Sequence, residues 1–366
     1  MKLVEKPIYQ LFYELIRVSI GNQETMPRVP TEQEWDTLYN MSKKQSVLGI
    51  CFAGVLKLRT SYPDITQNLP KALYLKWVGM TAKIKKKNTL MNQRTDETLA
   101  HFRSKGIPCV VLKGQGIARL YGPLAEVRQS GDIDVWVNST RKELYKQSID
   151  IFGHLEGVTY HHIHYPLFPD VDVEAHVWPS MLPNPWHNHQ LQKYSRQHAP
   201  SAGSPDTPSL PFLRIYIPLH AYGHFCGHGV GMRHLLDTYY VMTQGVTEAE
   251  KQETMRWAKA FGMQRFMSAL MWVSVNVLGM NPALSLCEPS EADGRFLLSE
   301  VMQSGNMGHM DKRIDRKQLR TPVGRYLFNV RHSIQLMTIC PHYALWEPVW
   351  NVYKYFYCKY LIFRYS

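Results

Sequence analysis

Apolar residues recur at helical spacing over the first hundred positions, and that period breaks near residue 108. Thr31 precedes Glu32-Gln33-Glu34, an N-cap pattern that predicts a helix running to about Ser46. From about Pro70 to Phe102, Leu73, Trp77, Met80, Ile84, Met91, Leu99 and Phe102 fall mostly three, four or seven apart, which predicts one long helix with a single buried stripe. Gly106-Ile107-Pro108 ends it. Beyond it the period shortens. Cys109-Val110-Val111-Leu112 reads as a strand, Lys113-Gly114-Gln115-Gly116 as a turn, and Ile117 to Tyr121 as the start of a short helix closed by Gly122-Pro123. Asp132-Ile133-Asp134-Val135-Trp136-Val137 alternates as a strand does, and Asn138-Ser139-Thr140 can cap a helix up to Phe152. Val158 to Tyr165 and Val171 to Trp178 read as two further strands.

The expected fold class is therefore α/β in the α+β sense: a small mixed-sheet core at residues 96–182, flanked by an N-terminal helical region (1–95) and a C-terminal helical domain (211–366). Residues 183–210, rich in Pro, Ser, Gly and Asn, read as a loop-rich linker, with Ala199 to Pro205 its best linker candidate. The aromatic, basic stretch Tyr353 to Tyr365 is expected to be a buried terminal helix, with a helix lying on a membrane surface as the alternative. Composition changes this picture little. With 45% hydrophobic and 20% charged residues the chain is an ordinary globular protein, not collagen-like, disordered or disulfide-rich. Lys and Arg exceed Asp and Glu by 42 to 30, a net +12 that favours anionic partners but reads as spread over the chain. Its densest cluster, Lys83 to Lys87, falls in the long helix as a solvated face. Six dispersed cysteines without a C-x-x-C pair point to free thiols and a cytoplasmic setting, and neither a signal peptide nor a transmembrane run is read.

Candidate chemistry gathers in the central segment. Residues two apart on a strand share a face, so Asp132 and Asp134 project together and repel unless a cation separates them. A hard divalent ion, Mg2+ or Mn2+, suits such a pair and leaves positions for phosphate oxygens. A third carboxylate should come from Asp172-Val173-Glu174-Ala175-His176, where Asp172, Glu174 and His176 share a face, to complete a two-metal site and help deprotonate an attacking hydroxyl. The turn at Lys113-Gly114 lets backbone amides approach a phosphate while Lys113 adds charge; Arg128 offers a planar donor fork, and Gly131 opens the acidic strand. These residues read as nucleotide contacts, and the reaction as displacement at an α-phosphorus with pyrophosphate leaving. Arg233 either pairs with Asp237 one helical turn away or faces the cleft and touches a phosphate. His220, His224 and His228 share a helical face, which invites a metal reading beside the plainer one of hydrogen-bonded packing, whereas His161, His162 and His164 should straddle both faces of a strand. No Walker, Rossmann or nucleophile-elbow motif is found.

The run Val110-Val111-Leu112-Lys113-Gly114, Leu120-Tyr121, Arg128 and Asp132-Ile133-Asp134-Val135, followed by Glu174-Ala175-His176, resembles the uncharacterised nucleotidyltransferase family of bacteria, within the polymerase-beta-like nucleotidyltransferase superfamily. Leu219-His220 and Arg233-His234-Leu235-Leu236-Asp237 resemble its helical segment after the core. The resemblance spans residues from about 98 to 242. It implies a nucleotidyltransferase core, transfer of a nucleoside monophosphate from a nucleoside triphosphate, ATP first, with magnesium, and Asp132, Asp134 and Glu174 as acidic triad, Asp172 being the substitute for Glu174. The acceptor it leaves open is a protein side chain, an RNA or a small molecule. The chain departs from the superfamily pattern at Lys113-Gly114-Gln115, where Gly-Ser or Gly-Gly is usual, and at Ala175, where leucine is usual. The rival expectations are a catalytically retired nucleotide-binding sensor, an RNA-modifying nucleotidyltransferase, and a histidine-based metal protein.

Overall fold

The computed structural model describes residues 5–227, 229–308, 311 and 321–365. Four helices come first: α1 (Pro7–Ile20), α2 (Glu32–Lys44), α3 (Leu48–Ser61) and α4 (Lys71–Ser104). The start of α2 is fixed by a reciprocal cap. Thr31 Oγ1 accepts the Glu34 N–H at 3.3 Å and the Glu34 carboxylate accepts the Thr31 N–H at 2.9 Å. The predicted stripe makes α4 one continuous helix of 34 residues, about 50 Å long. Its beginning, at Leu73 and Trp77, joins a core shared by the N-terminal and C-terminal helices. Its end, at Met91, Leu99 and Phe102, lies under the sheet. Lys83, Lys85, Lys86 and Lys87 are exposed, as a solvated face requires.

The central segment runs β1 (Cys109–Val111), α5 (Gln115–Ala118), a 3-10 stretch Arg119–Val127, β2 (Ile133–Val137), α6 (Arg141–Phe152), β3 (His162–His164) and β4 (Val173–His176). The sheet has the order β1-β2-β4-β3, with β2 and β4 parallel and the outer pairs antiparallel. The fold is thus α+β, mostly helical around a four-stranded mixed sheet. The last two strands are shorter than their apolar runs suggest: before β3 the Thr159 N–H donates to the His162 carbonyl at 2.9 Å, closing a turn where the pattern alone continues a strand. Alternation sorts the sheet's two faces. Ile133, Val135, Val137, Ile163, Val173 and Ala175 bury one face against α4 and α6. Asp134, Trp136, Glu174 and His176 occupy the other.

That second face is covered by C-terminal helices: α7 (Pro185–Gln197), α8 (Leu210–Gly227), α9 (Met232–Met242), α10 (Glu248–Ala260), α11 (Gln264–Trp272), α12 (Glu291–Ser304), α13 (Pro322–Leu336) and α14 (Pro341–Tyr365) belong to this half. Trp136 stacks on Phe212 of α8 with ring centres 5.3 Å apart. Two expectations need correction. Residues 183–210 are not loop throughout, because α7 occupies half of them. Asn184 and Pro185 are its start: the Asn184 side chain accepts the N–H groups of Trp186 and His187, and Pro185 fills the first helical turn. The irregular stretch after α7 is tied to the sheet edge, with the Val111 N–H donating to the Asp206 carbonyl at 2.7 Å and Asn138 to that of Pro200 at 2.8 Å. Nor is α14 a buried helix. Only Tyr343, Ala344 and Leu361 are buried along it, because its packing is against α13 and α6 and leaves its other apolar sides uncovered.

Gly116 sets how closely α5 packs beneath β1. A Cβ there would come within 2.5 Å of the Val111 carbonyl oxygen. Gly116→Ala should therefore cost about 1–3 kcal/mol in stability, measured by chemical denaturation.

Candidate active site

Two of the predicted acids meet at the middle of the sheet. The parallel register of β2 and β4 sets Asp134 directly beside Glu174, and both side chains leave the sheet on the side facing the C-terminal helices. Asp134 is buried and Glu174 partly so. Lys113 follows β1, whose pairing with β2 continues through the Leu112 N–H to the Asp134 carbonyl at 2.9 Å. Gly114 then turns the chain at φ +61°, a left-handed conformation that suits glycine. The turn brings Lys113 Nζ to 2.5 Å from Asp134 Oδ2 and 3.5 Å from Asp132 Oδ1. Burial disfavours the ammonium, but the Asp134 and Asp132 charges outweigh it and hold the Lys113 pKa above its ordinary value. Lys113 in return lowers that of Asp132; at Asp134 burial is the largest single influence, and Lys113 and His176 together overcome it and keep that carboxyl below its ordinary value as well.

From the other side comes His176, two residues after Glu174. Its Nε2 lies 3.1 Å from Asp134 Oδ1 and 3.4 Å from Glu174 Oε2. Burial opposes the imidazolium, yet hydrogen bonds to both carboxylates raise its pKa to about 9. Glu174 is ringed further by His162 Nδ1 at 3.5 Å and His164 Nε2 at 3.7 Å. Burial, with the His176 charge, drops His162 to about 3, so it stays neutral. His161, His162 and His164 form no common ligand set among the described residues, as expected of residues that straddle a strand. His162 and His164 share a face with Glu174, and His161 lies outside the strand, where alternation does not bind it. His161, His162 and His176 accordingly bring one nitrogen each within 4.8 Å of one another.

Asp134, Glu174 and His176 form such a ligand group too. Asp132 joins none of these groups among the described residues and is linked to Asp134 through Lys113. Asp172 is exposed ahead of β4, where its carbonyl accepts the Ile133 N–H at 3.0 Å. Gly131 is exposed, with open space around its Cα. The two carboxylates on one face fit a hard divalent cation, which would take the place of the cationic side chains that now neutralise them; His176 would ligate only after losing its proton.

Arg128 and Arg233 stand apart from the carboxylates. Arg128 is buried and gives Nε and Nη2 to the two oxygens of Asp237, both at 2.7 Å, while the Tyr121 hydroxyl donates to the same carboxylate at 2.6 Å. Asp237 is thus taken by Arg128 and not by its helical neighbour Arg233, whose Nη1 donates to the Gln129 carbonyl at 3.1 Å. Burial lowers the Arg233 pKa, with nearby Arg128 adding to the effect. Arg128 Nη1, Arg233 Nε and His234 Nε2 are buried nitrogens with no acceptor among the described residues. His234 Nδ1 accepts the Gly231 N–H at 3.3 Å, which assigns the proton to Nε2 and makes it a donor.

Pattern reading misses Tyr216, which lies on a helix facing the sheet. Tyr216 of α8 lies one turn beyond Phe212. Burial, reinforced by Asp134, Glu174 and Asp132, pushes its hydroxyl well above its ordinary range. His220 and His224 continue that row at steps of four, and His234 arrives from α9 to complete a cluster with them. His228, read with the first two, lies outside the described residues. Burial and the neighbouring His224 and Lys113 charges keep His220 neutral. The step of four from Phe212 to His224 was the available signal for this row.

The Arg128–Asp237 pair is the testable anchor of these helices. Burial opposes the Asp237 charge, but Arg128 prevails and holds the carboxyl below its ordinary value. Asp237→Asn strands the guanidinium and should cost about 3–5 kcal/mol at neutral pH. Because the folded pKa is depressed, the pair's contribution is complete above the unfolded value and disappears as pH falls through the folded one. Urea unfolding of both proteins across pH should show the gap narrowing only in acid, below about pH 4.

Comparison with curated proteins and with solved structures gives no match. Residues 31–279, more than half of the chain, match the model of a family described as an uncharacterised nucleotidyltransferase, and the chain belongs to that family.

Proposed function

We propose that this protein transfers a nucleoside monophosphate from a nucleoside triphosphate, ATP first, to an acceptor hydroxyl, using Mg2+ or Mn2+. The observation that carries the proposal is the parallel pairing of Asp134 with Glu174 on one sheet face, beside a lysine-bearing turn. Asp134 and Glu174 would hold the cation, with Asp132 the third acid. When bound, that cation supplies charge neutralisation for the phosphates. In the reaction the acceptor oxygen bonds to the α-phosphorus, the bond to pyrophosphate breaks, and the hydroxyl proton passes to Glu174 or to water. Lys113, released from Asp134 when a dication arrives, is within reach of the same space and can follow the phosphate charge. The Gly114 turn and Gly131 leave the backbone open for close approach. The unmatched donors on Arg128, Arg233 and His234 support an anionic ligand on the helical side, since a buried N–H without an acceptor is costly and phosphate oxygens supply acceptors. Six unpaired cysteines support a reducing, cytoplasmic setting.

Incubation with α-labelled ATP and Mg2+ should release pyrophosphate and leave label on an acceptor, which its mobility identifies as protein, RNA or small molecule. Asp134→Asn and Glu174→Gln should each reduce transfer by at least about a hundredfold, and Lys113→Met by less. A wild-type protein that binds ATP but releases no pyrophosphate with any of these acceptors would make it a nucleotide-binding sensor.

A further inference from the structure

We propose that α13 and α14 together form a surface that docks on a bilayer containing anionic lipid. The proposal is independent of the transferase reading. Along α14, Leu345, Val349, Val352, Phe356 and Phe363 follow one another at steps of four, three, four and seven, so they share a helical face. All five are exposed, Phe356 by 65% and Phe363 by 87%. Trp346, Tyr353 and Tyr360, also exposed, lie along one margin of that stripe. On α13, which packs beside α14, Val323, Leu327 and Ile334 repeat at steps of four and seven and are exposed too. An exposed apolar surface running over two helices is unusual for a protein with no partner there.

Charge identifies the partner. Residues 321–365, which hold α13 and α14, contain five Lys and Arg against one acid, Glu347. The segment that carries this surface is therefore positively charged. Lys359 and Arg364 are exposed and, by helical geometry, flank the apolar stripe on opposite sides. Pairing this surface with a second copy would bring two such positive segments together. Nucleic acid would match the charge but offers little to exposed leucine, valine and phenylalanine. An anionic bilayer supplies both an apolar layer and negative headgroups, and aromatic residues favour the boundary between them. No helix among the described residues is long and apolar enough to cross a membrane, so the helices would lie in the plane of the interface.

The test is co-sedimentation of the full chain with vesicles of phosphatidylcholine alone or mixed with phosphatidylglycerol. Wild-type protein should bind the mixed vesicles, bind phosphatidylcholine far less, and release as salt rises. Phe356→Glu combined with Phe363→Glu should weaken partitioning at least about tenfold with an unchanged thermal melt, since both side chains are exposed. Lys359→Glu with Arg364→Glu should remove the preference for phosphatidylglycerol. Absence of wild-type binding to mixed vesicles overturns the proposal, as does undiminished binding by the phenylalanine variant. It is equally overturned by a wild-type dimer in light scattering that the phenylalanine substitutions dissolve, or by RNA held in preference to the mixed vesicles.

Discussion

Two carboxylates placed side by side in the middle of a sheet, one of them wholly buried, are tolerable only when opposite charge meets them at close range. Asp134 and Glu174 are in that position because β2 and β4 run parallel in a register that pairs them. Lys113 approaches from the end of β1 and His176 from β4 itself, and each is kept charged by the acids it compensates. Much of the surrounding architecture serves that contact. The antiparallel pairing of β1 with β2 puts the lysine at the right height, the left-handed glycine turns the chain away at once, and the close packing of Gly116 beneath Val111 holds the turn against the strand.

A second buried pair closes the other side. Arg128 leaves the segment between α5 and β2 and grips Asp237 on α9 with two hydrogen bonds, with Tyr121 added as a third donor. It ties the helical half to the sheet where α8 lays Phe212, Tyr216 and His220 over the polar face. Acids, lysine and imidazole on the sheet accordingly face a helical side that carries the neutral His220 and buried donors without acceptors. The chain's family is one of nucleotidyltransferases.

Local signals were strong wherever one residue's chemistry dictates one conformation. The cap at Thr31, the stripe of α4, the cap at Thr140 and the alternation around Asp134 all rest on contacts within a few residues, and each is present in the fold. The same locality explains the misreadings. Asn184-Pro185 can end one element or begin another, and only the N–H groups that follow decide which. The stripe along α14 looks like core because periodicity records which side chains are apolar and not what covers them.

By itself, then, the amino-acid order determined the strand-turn-strand unit, the side on which Asp132 and Asp134 project, and the presence of an acidic residue two places before His176, since strand alternation needs no distant partner. Only tertiary structure decided that Glu174 and not Asp172 lies beside Asp134, that Asp237 belongs to Arg128 across a gap of 109 positions and not to Arg233 one turn away, and that His234 joins His220. Those choices depend on strand register and helix docking, which are set by summed burial over the whole core, and no short stretch of sequence carries that sum.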